Sequence, residues 1–411
     1  MFQGVLKKFR IIYKQTIASI AFIPGLIALF FLFLSFLMIE FDFSDAGKTI
    51  KSNADWLTLK DASTARSIIS AIASGLISLT VFSFSMVMIL LNQAASQMSN
   101  RIIDKLIGNR FQQTVLGFYI GTIVYALFLL STIRDINSGI YVPAISTYLL
   151  IALTVVDIFF FIYFLHYVTQ SIKYETIIHQ IHVSTRKSLE KTCVLKSETG
   201  KPSSLPEGTL VNANKSGIYQ GFSQEGLLSF CRSENMVISF LYSTGTSVLE
   251  GSPLMEIKAD NNLSKNFGDH LNKLINIHRG QDIKSNYYYG FRQLTEVAVK
   301  ALSPGINDPG TAVLSLQALS DLLMFRTQHY PVTHIVDKDG VVRIITKERS
   351  FDDIFRDCIH PIWDYGKKDR LILREFLHVM LLLQKRSENP LINTFLEHVE
   401  NEIKRQELDV A

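Results

Sequence analysis

IASIAFIPGLIALFFLFLSFLMI, residues 17–39, runs for 23 positions without a charged side chain. At about 1.5 Å of rise per helical residue, such a run matches a hydrocarbon core roughly 30 Å thick, so it reads as a transmembrane helix. No small-residue cleavage site follows it. Glu40, Phe41 and Asp42 open a polar loop instead, and the run is expected to stay in the membrane as an anchor. Three further apolar runs succeed it at residues 68–91, 114–133 and 141–167, the last carrying a single acid, Asp157. The expectation is a four-helix transmembrane domain over residues 1–167.

Composition agrees with that partition. Hydrophobic residues make up 48% of the 411 and charged residues 19%, a balance away from ordinary soluble protein, and most of the charge falls after Tyr167. A net charge of +4, without a dense basic block, gives no reason to expect nucleic acid as a partner. Cys193, Cys231 and Cys358 are spaced too widely for a disulfide framework or a CxxC metal site, and read as reduced thiols.

Cytoplasmic loops retain Lys and Arg, which sets the orientation. Lys7, Lys8, Arg10 and Lys14 precede the first span, Arg101, Lys105 and Arg110 separate the second from the third, and Lys173, Arg186 and Lys187 follow the fourth. These segments are expected on the cytoplasmic side of a bacterial inner membrane, with both chain ends there. The loop Glu40–Ser67, with four basic and five acidic residues, and the short Arg134–Ile140 loop go outside.

The second span carries a pattern. Ser67, Ser70, Ser74 and Ser78 recur at spacings of three and four, and Ser78, Ser85, Asn92 and Ser99 stand seven apart, with Gln93, Ser96 and Gln97 beyond the membrane. These spacings place hydroxyls on one helix face. Two readings are open: close packing between helices, and the lining of a water-filled path. Gly117 and Gly121 form a GxxxG pair that marks tight helix contact. Asp157 costs about 2.5–3.5 kcal/mol at mid-membrane, so it needs a partner or water. His166, nine residues on, points to the opposite face of the same helix and cannot serve. A helix-bridging acid and an ion or proton pathway are both open for Asp157.

Residues 168–200 read as a helical stalk and linker. Glu175, His179, His182 and Arg186 share one face there; a metal site built on the first three is a weak candidate beside a solvated charged face. After a Pro/Ser/Gly-rich linker at Glu198–Pro206, strands are expected at Thr209–Ala213, Gly217–Phe222, Val237–Tyr242, Val248–Leu249 and Leu254–Ile257, forming a small β-barrel or sandwich over residues 201–260. Its glycine turns resemble those of the biotinyl/lipoyl hybrid barrel, without the modified-lysine hairpin. Residues 261–411 read as mainly helical, with a hairpin near 334–345 turning at Asp337–Gly340. The fold class expected is therefore a membrane α-helical domain plus a cytoplasmic α+β region.

Phe291, Leu294, Ala298 and Ala301 mark an amphipathic helix that ends at Ser303, and a new helix is expected at Pro309 with Asp308 as its N-cap. Capping accounts for most of that junction. The alternative is a ligand loop built on Ser303, Asn307 and Asp308 at a helix start.

Four stretches carry a resemblance: AASQMSNRII (94–103), GFYIGTIVY (117–125), IYFLHYVTQSI (162–172) and above all GFRQLTEVAVKALSPGINDP (290–309). Through them the chain resembles the domain-of-unknown-function 2254 family of predicted bacterial membrane proteins over most of its length. The resemblance implies a four-span architecture and brings no activity, substrate or catalytic residue.

The function expected from the residues is an oligomeric ion channel or passive pore regulated by its cytoplasmic half, with Ser67, Ser70, Ser74, Ser78, Ser85, Asn92 and Asp157 as lining candidates. Four helices are few to enclose a path, so a homo-oligomer in the lipid bilayer is expected, with ions as possible partners. The alternative is a membrane-anchored sensor or scaffold that binds a cytoplasmic ligand or partner. The chain shows no GxSxG, P-loop or HExxH motif, so neither enzyme activity nor a cofactor is expected.

Overall fold

The computed structural model describes residues 21–53, 61–97, 110–136, 139–171, 173–197, 208–259 and 267–408. The expected helix start at Ile17–Ile20, the basic positions Lys7, Lys8, Arg10, Lys14, Arg101 and Lys105, Ser99, and the linker Glu198–Pro206 lie outside the described residues, as do the side chains of Gln93, Ser96 and Gln97. The chain divides into two compact units, Met1–Lys173 and Tyr174–Ala411.

In the first unit α1 (Phe22–Phe43), α3 (Ala62–Gln97), α4 (Arg110–Thr132) and α5 (Ala144–Ser171) are each long and apolar enough to cross a membrane. A short α2 (Asp45–Asn53) follows α1, and a ribbon of β1 (Arg134–Ile136) and β2 (Gly139–Tyr141) joins α4 to α5. Helix α4 packs on the other three and buries Tyr119, Tyr125, Ala126 and Leu129. Its Gly117 and Gly121 face α1: a Cβ at Gly117 would stand 2.6 Å from Ile27 Cδ1, and one at Gly121 would stand 2.8 Å from the Phe31 ring. The GxxxG pair thus removes the side chains that would hold the two backbones apart. Phe31 then meets Phe118 edge-on at 5.6 Å.

Helix α1 runs on through Glu40, Phe41 and Asp42, where a loop was expected, because Asp42 does not face water. Its fully buried carboxylate accepts from the backbone N–H groups of Ile145 (3.3 Å) and Ser146 (2.7 Å) and from Ser146 Oγ (2.7 Å) at the start of α5. Lys51 Nζ completes the arrangement at 3.0 Å from Asp42 Oδ1. An acid at the free N–H groups of a helix start satisfies orphan donors and complements the helix dipole.

The second unit begins with α6 (Tyr174–Thr192), which buries Ile177, Ile178, Ile181 and Leu189 and packs on α9 and α10 below. Then come β3 (Thr209–Asn212), β4 (Gly217–Phe222), α7 (Gln224–Ser233), β5 (Met236–Phe240), β6 (Ser247–Val248), β7 (Pro253–Ala259), α8 (Phe267–Leu274) and β8 (Ile275–His278). The chain finishes with α9 (Tyr287–Ala301), α10 (Pro309–Gln328), β9 (His334–Val336), β10 (Val342–Ile345), α11 (Phe351–Gly366), α12 (Arg370–Gln384) and α13 (Pro390–Leu408).

The strands do not close into a barrel, one of the two arrangements, barrel or sandwich, expected over residues 201–260. They form two open sheets, one in the order β3-β7-β5-β10-β9 and one in the order β6-β4-β8. The barrel fails because the hairpin β9–β10, assigned from sequence to a separate helical part, adds to the free edge of β5 in parallel, while β4 turns away to pair with β6 and β8. Both sheets share one core with α7 and α8, built on Tyr219, Leu227, Ile238, Phe240, Leu271 and Ile344. Phe240 stacks on Tyr219 at 5.2 Å and on Phe222 at 4.9 Å. Helix α9 is buried on nearly every side and lies against α6, α10 and α11. At Gly290 an added Cβ would run into the Thr185 side chain of α6, so only glycine fits that crossing.

Gly121→Leu should force α1 off α4 and lower the melting midpoint of detergent-solubilised protein sharply. Gly75→Ala, on α3 where a Cβ meets nothing within 4 Å, should leave it unchanged or slightly raised. Equal midpoints for the two variants would refute the close-contact role.

Candidate functional site

The six lining candidates on α3, Ser67, Ser70, Ser74, Ser78, Ser85 and Asn92, are all exposed. At about 100° per residue they fall within an arc of roughly 80°. The residues α3 buries against its own chain, among them Ala65, Ile69, Ala73, Leu76 and Ser83, centre on the opposite side. The serine face therefore takes no part in packing the chain. Ser67 Oγ donates to the Ser63 carbonyl at 2.9 Å and Ser78 Oγ to the Ser74 carbonyl at 3.0 Å, so these hydroxyls satisfy their protons on their own helix and keep lone pairs outward. Ile77, Phe82, Phe84 and Ile89 share the exposed surface of the helix and border the polar strip, and Val81 lies within it.

Asp157 does not join that face. It is fully buried in the protomer, while His166 on the same helix is exposed, as the angular argument requires. Asp157 faces Thr122 of α4 and lies within electrostatic reach of Tyr119, which in turn faces Ser83 of α3. All four side chains are buried. Neither carboxylate oxygen of Asp157 completes a hydrogen bond, nor does Thr122 Oγ1 or Tyr119 OH. Sequence reasoning singled out Asp157 and missed these neighbours. Tyr119 and Thr122 are three apart and so share a face of α4, but nothing local says that α5 lies against it.

In the second unit the junction between α9 and α10 closes on itself. Ser303 Oγ donates to the Lys300 carbonyl at 2.6 Å, and the Ser303 carbonyl accepts from Ile306 N and Asn307 N. Asn307 takes the left-handed conformation at φ +49°, which asparagine tolerates. Asp308 caps α10 through Thr311 N (3.1 Å) and Thr311 Oγ1 (2.6 Å), with Pro309 following as expected.

Glu175 and His179 are exposed on α6, whereas His182 Nε2 pairs with Asp321 Oδ2 at 2.8 Å. Arg186 adds a contact to Asp321 at 3.3 Å and lays its guanidinium over the Phe325 ring at 4.0 Å. Among the described residues no three His, Cys, Asp or Glu side chains converge in a metal-holding group. Beside Asp321 a groove of about 310 Å³ opens between α10 and α12, with Gln317, Glu375 and His378 on its walls and Met324 and Leu382 among its apolar lining.

A model of predicted membrane proteins of unknown function matches residues 17–381. The chain belongs to the DUF2254 family. The DUF2254 chain is 24% identical over 340 residues to the uncharacterised protein MT1328 of Mycobacterium tuberculosis (strain CDC 1551 / Oshkosh) and 23% identical to Mb1321c of Mycobacterium bovis. The alignments cover 79% of this chain and 65% of each relative, so the chain spans under two thirds of the relatives' length. No solved structure matches it. Residues 290–309, whose resemblance to the family is the most specific, form α9 and the capped junction after it.

The DUF2254 protein also holds a polar network that sequence spacing did not reveal. Arg326, on α10 and almost wholly buried, donates to the His329 carbonyl (2.8 Å) and the Arg349 carbonyl (3.3 Å). Around it stand Tyr287, Cys193 and the half-buried Glu348. Loss of water pushes the Glu348 carboxyl up to about 7, against the pull of Arg326, the Tyr287 hydroxyl and Arg349. The three cysteines are free and buried. Desolvation pushes Cys193 up to about 11 and Cys231 and Cys358 up to about 12, so none is a reactive thiolate at neutral pH.

Because folded Glu348 holds its proton more tightly than the unfolded chain does, its contribution to stability is present below about 4.5 and is lost as pH rises through about 7. Glu348→Gln should flatten that decline in melting midpoints recorded from pH 5 to 8; an unchanged slope would remove Glu348 as its source. Asp308→Ala should cost about 1 kcal/mol through the lost cap, whereas Asn307→Gly should cost little, since glycine accepts a positive φ. Chemical denaturation of both variants checks the pair.

Proposed function

We propose that the protein is a subunit of a homo-oligomeric, ion-conducting pore in a bacterial inner membrane, in which the serine face of α3 from each protomer borders a shared aqueous path. One observation carries the reading: Ser67, Ser70, Ser74, Ser78, Ser85 and Asn92 are exposed on the side of α3 opposite its own packing surface. Polar side chains in a membrane helix turn away from lipid toward protein or water. A protomer that leaves such a strip outside its own bundle has a partner surface to offer. Copies related by a closed rotation would bring the strips together around one axis. Both chain ends would face the cytoplasm, where the second unit would regulate the path, and no chemical transformation is involved.

Reconstitution into planar bilayers tests this. Wild-type protein should pass ionic current, and Ser78→Phe or Ser85→Phe should reduce unitary conductance severalfold, while Ile77→Phe on the apolar border should not. Single cysteines introduced at Ser74 or Ser85 should cross-link between protomers. Silent bilayers together with a monomeric species in mild detergent would overturn the pore.

A second reading, a membrane-anchored sensor, is favoured by the groove between α10 and α12. Its Glu375 and His378, set among apolar lining, suit a small cationic ligand. A ligand-dependent rise in the melting midpoint of the full chain, lost in Glu375→Ala, with no current in bilayers, would select it over the pore.

A further inference from the structure

The interior of the four-helix bundle contains a set of oxygen atoms that the packing leaves unused. Asp157 on α5 and Thr122 on α4 are fully buried, and Tyr119 on α4 is 1% exposed. Both Asp157 oxygens, Thr122 Oγ1 and Tyr119 OH lack hydrogen-bond partners. Ser83 on α3 donates its proton to the Leu79 carbonyl at 2.8 Å and faces Tyr119.

Such a cluster has two simple ways to satisfy itself internally. The hydroxyls can donate to the carboxylate, or a basic side chain can neutralise it. Neither is used. Thr122 faces Asp157 and Ser83 faces Tyr119 without a completed hydrogen bond, and the basic groups of the three helices lie elsewhere: Arg66 reaches the Ile133 carbonyl near the end of α4, Arg110 is exposed at its start, and His166 is exposed on the far face of α5. A cation can take up lone pairs that a carboxylate and hydroxyls do not share with one another, so buried oxygens gathered without completed hydrogen bonds are what an ion site presents.

We propose that Asp157, Thr122, Tyr119 and Ser83 form a binding site for one monovalent metal cation inside each protomer. The donors are all hard oxygens, which select alkali and alkaline-earth ions over zinc or copper. One carboxylate supplies a single negative charge, and among the described residues no group of three His, Cys, Asp or Glu gathers there, so a bound divalent ion would stay uncompensated in the bilayer interior. The site lies within the bundle, on the buried side of α3, away from the serine face. It therefore goes beyond the pore reading and does not rest on it: an ion held here would set the packing of α3, α4 and α5 whether or not current flows elsewhere.

The test uses purified full-length protein in detergent, exchanged into choline chloride and titrated with NaCl or KCl at constant ionic strength. The expected result is a saturable rise of several degrees in the melting midpoint with one of the two ions. Radioactive sodium or rubidium should bind at one per protomer. Asp157→Asn should abolish both effects, and Thr122→Val should weaken ion affinity at least tenfold while the protein stays monodisperse; Ser83→Ala gives an independent check if the Asn variant does not fold. Equal midpoints in sodium, potassium and choline would overturn the site. So would the same ion response in Asp157→Asn and wild type, or a wild-type midpoint that follows pH alone, which would make Asp157 a protonated packing residue.

Discussion

Inside a bilayer a polar atom has no water to fall back on, and the membrane unit meets that constraint in three ways. Asp42 is paired in full, with backbone N–H groups, a serine hydroxyl and Lys51 around one carboxylate. Ser67 and Ser78 give their protons to their own helix. Asp157, Thr122 and Tyr119 are gathered without completing hydrogen bonds. Removing one partner from a buried pair such as Asp42–Lys51 costs roughly 3–5 kcal/mol in soluble proteins, and the start of α5 hangs on the same carboxylate. The contrast between the saturated and the unsaturated acid separates a structural group from a candidate site more sharply than burial does, since both are fully buried.

The glycine pair on α4 sets the geometry in which those acids meet their surroundings. With no side chain at Gly117 and Gly121, α1 approaches closely, and the far end of α1 carries Asp42 to the start of α5. Tyr125, buried beside this junction, donates its hydroxyl to the Ser146 carbonyl at 3.2 Å. Packing of small residues and pairing of a charge are thus consecutive steps along one helix.

The spans were legible because twenty or so apolar residues have few other uses, and the capped start of α10 was legible because Asp308 and Pro309 act on their immediate neighbours. What could not be read were pairings across long stretches of chain. Asp42 sits in a stretch that looks like loop, and its partners lie about a hundred positions on, at Ile145 and Ser146. Apart from β8, which falls where helix was expected, the strands of the second unit were found nearly where expected, yet their grouping was missed, since period-two hydrophobicity identifies a strand and not its neighbour. Helix α7 was read through as turn because its apolar face rests on Leu227, Phe230 and Cys231 alone. For the candidate sites, the serine spacing defined a face, but only the packing of the protomer tells which way that face looks.

The parallel pairing of β10 with β5 has a consequence for biogenesis. Ile344 and Ile345 lie beside Ile238 and Ser239, so the middle of the larger sheet is filled by residues made about a hundred positions later. Until that segment has been made, one edge of β5 has no strand to pair with. An unpaired strand edge is a template for pairing with another chain, so the larger sheet covers its own edge only once β10 has been added.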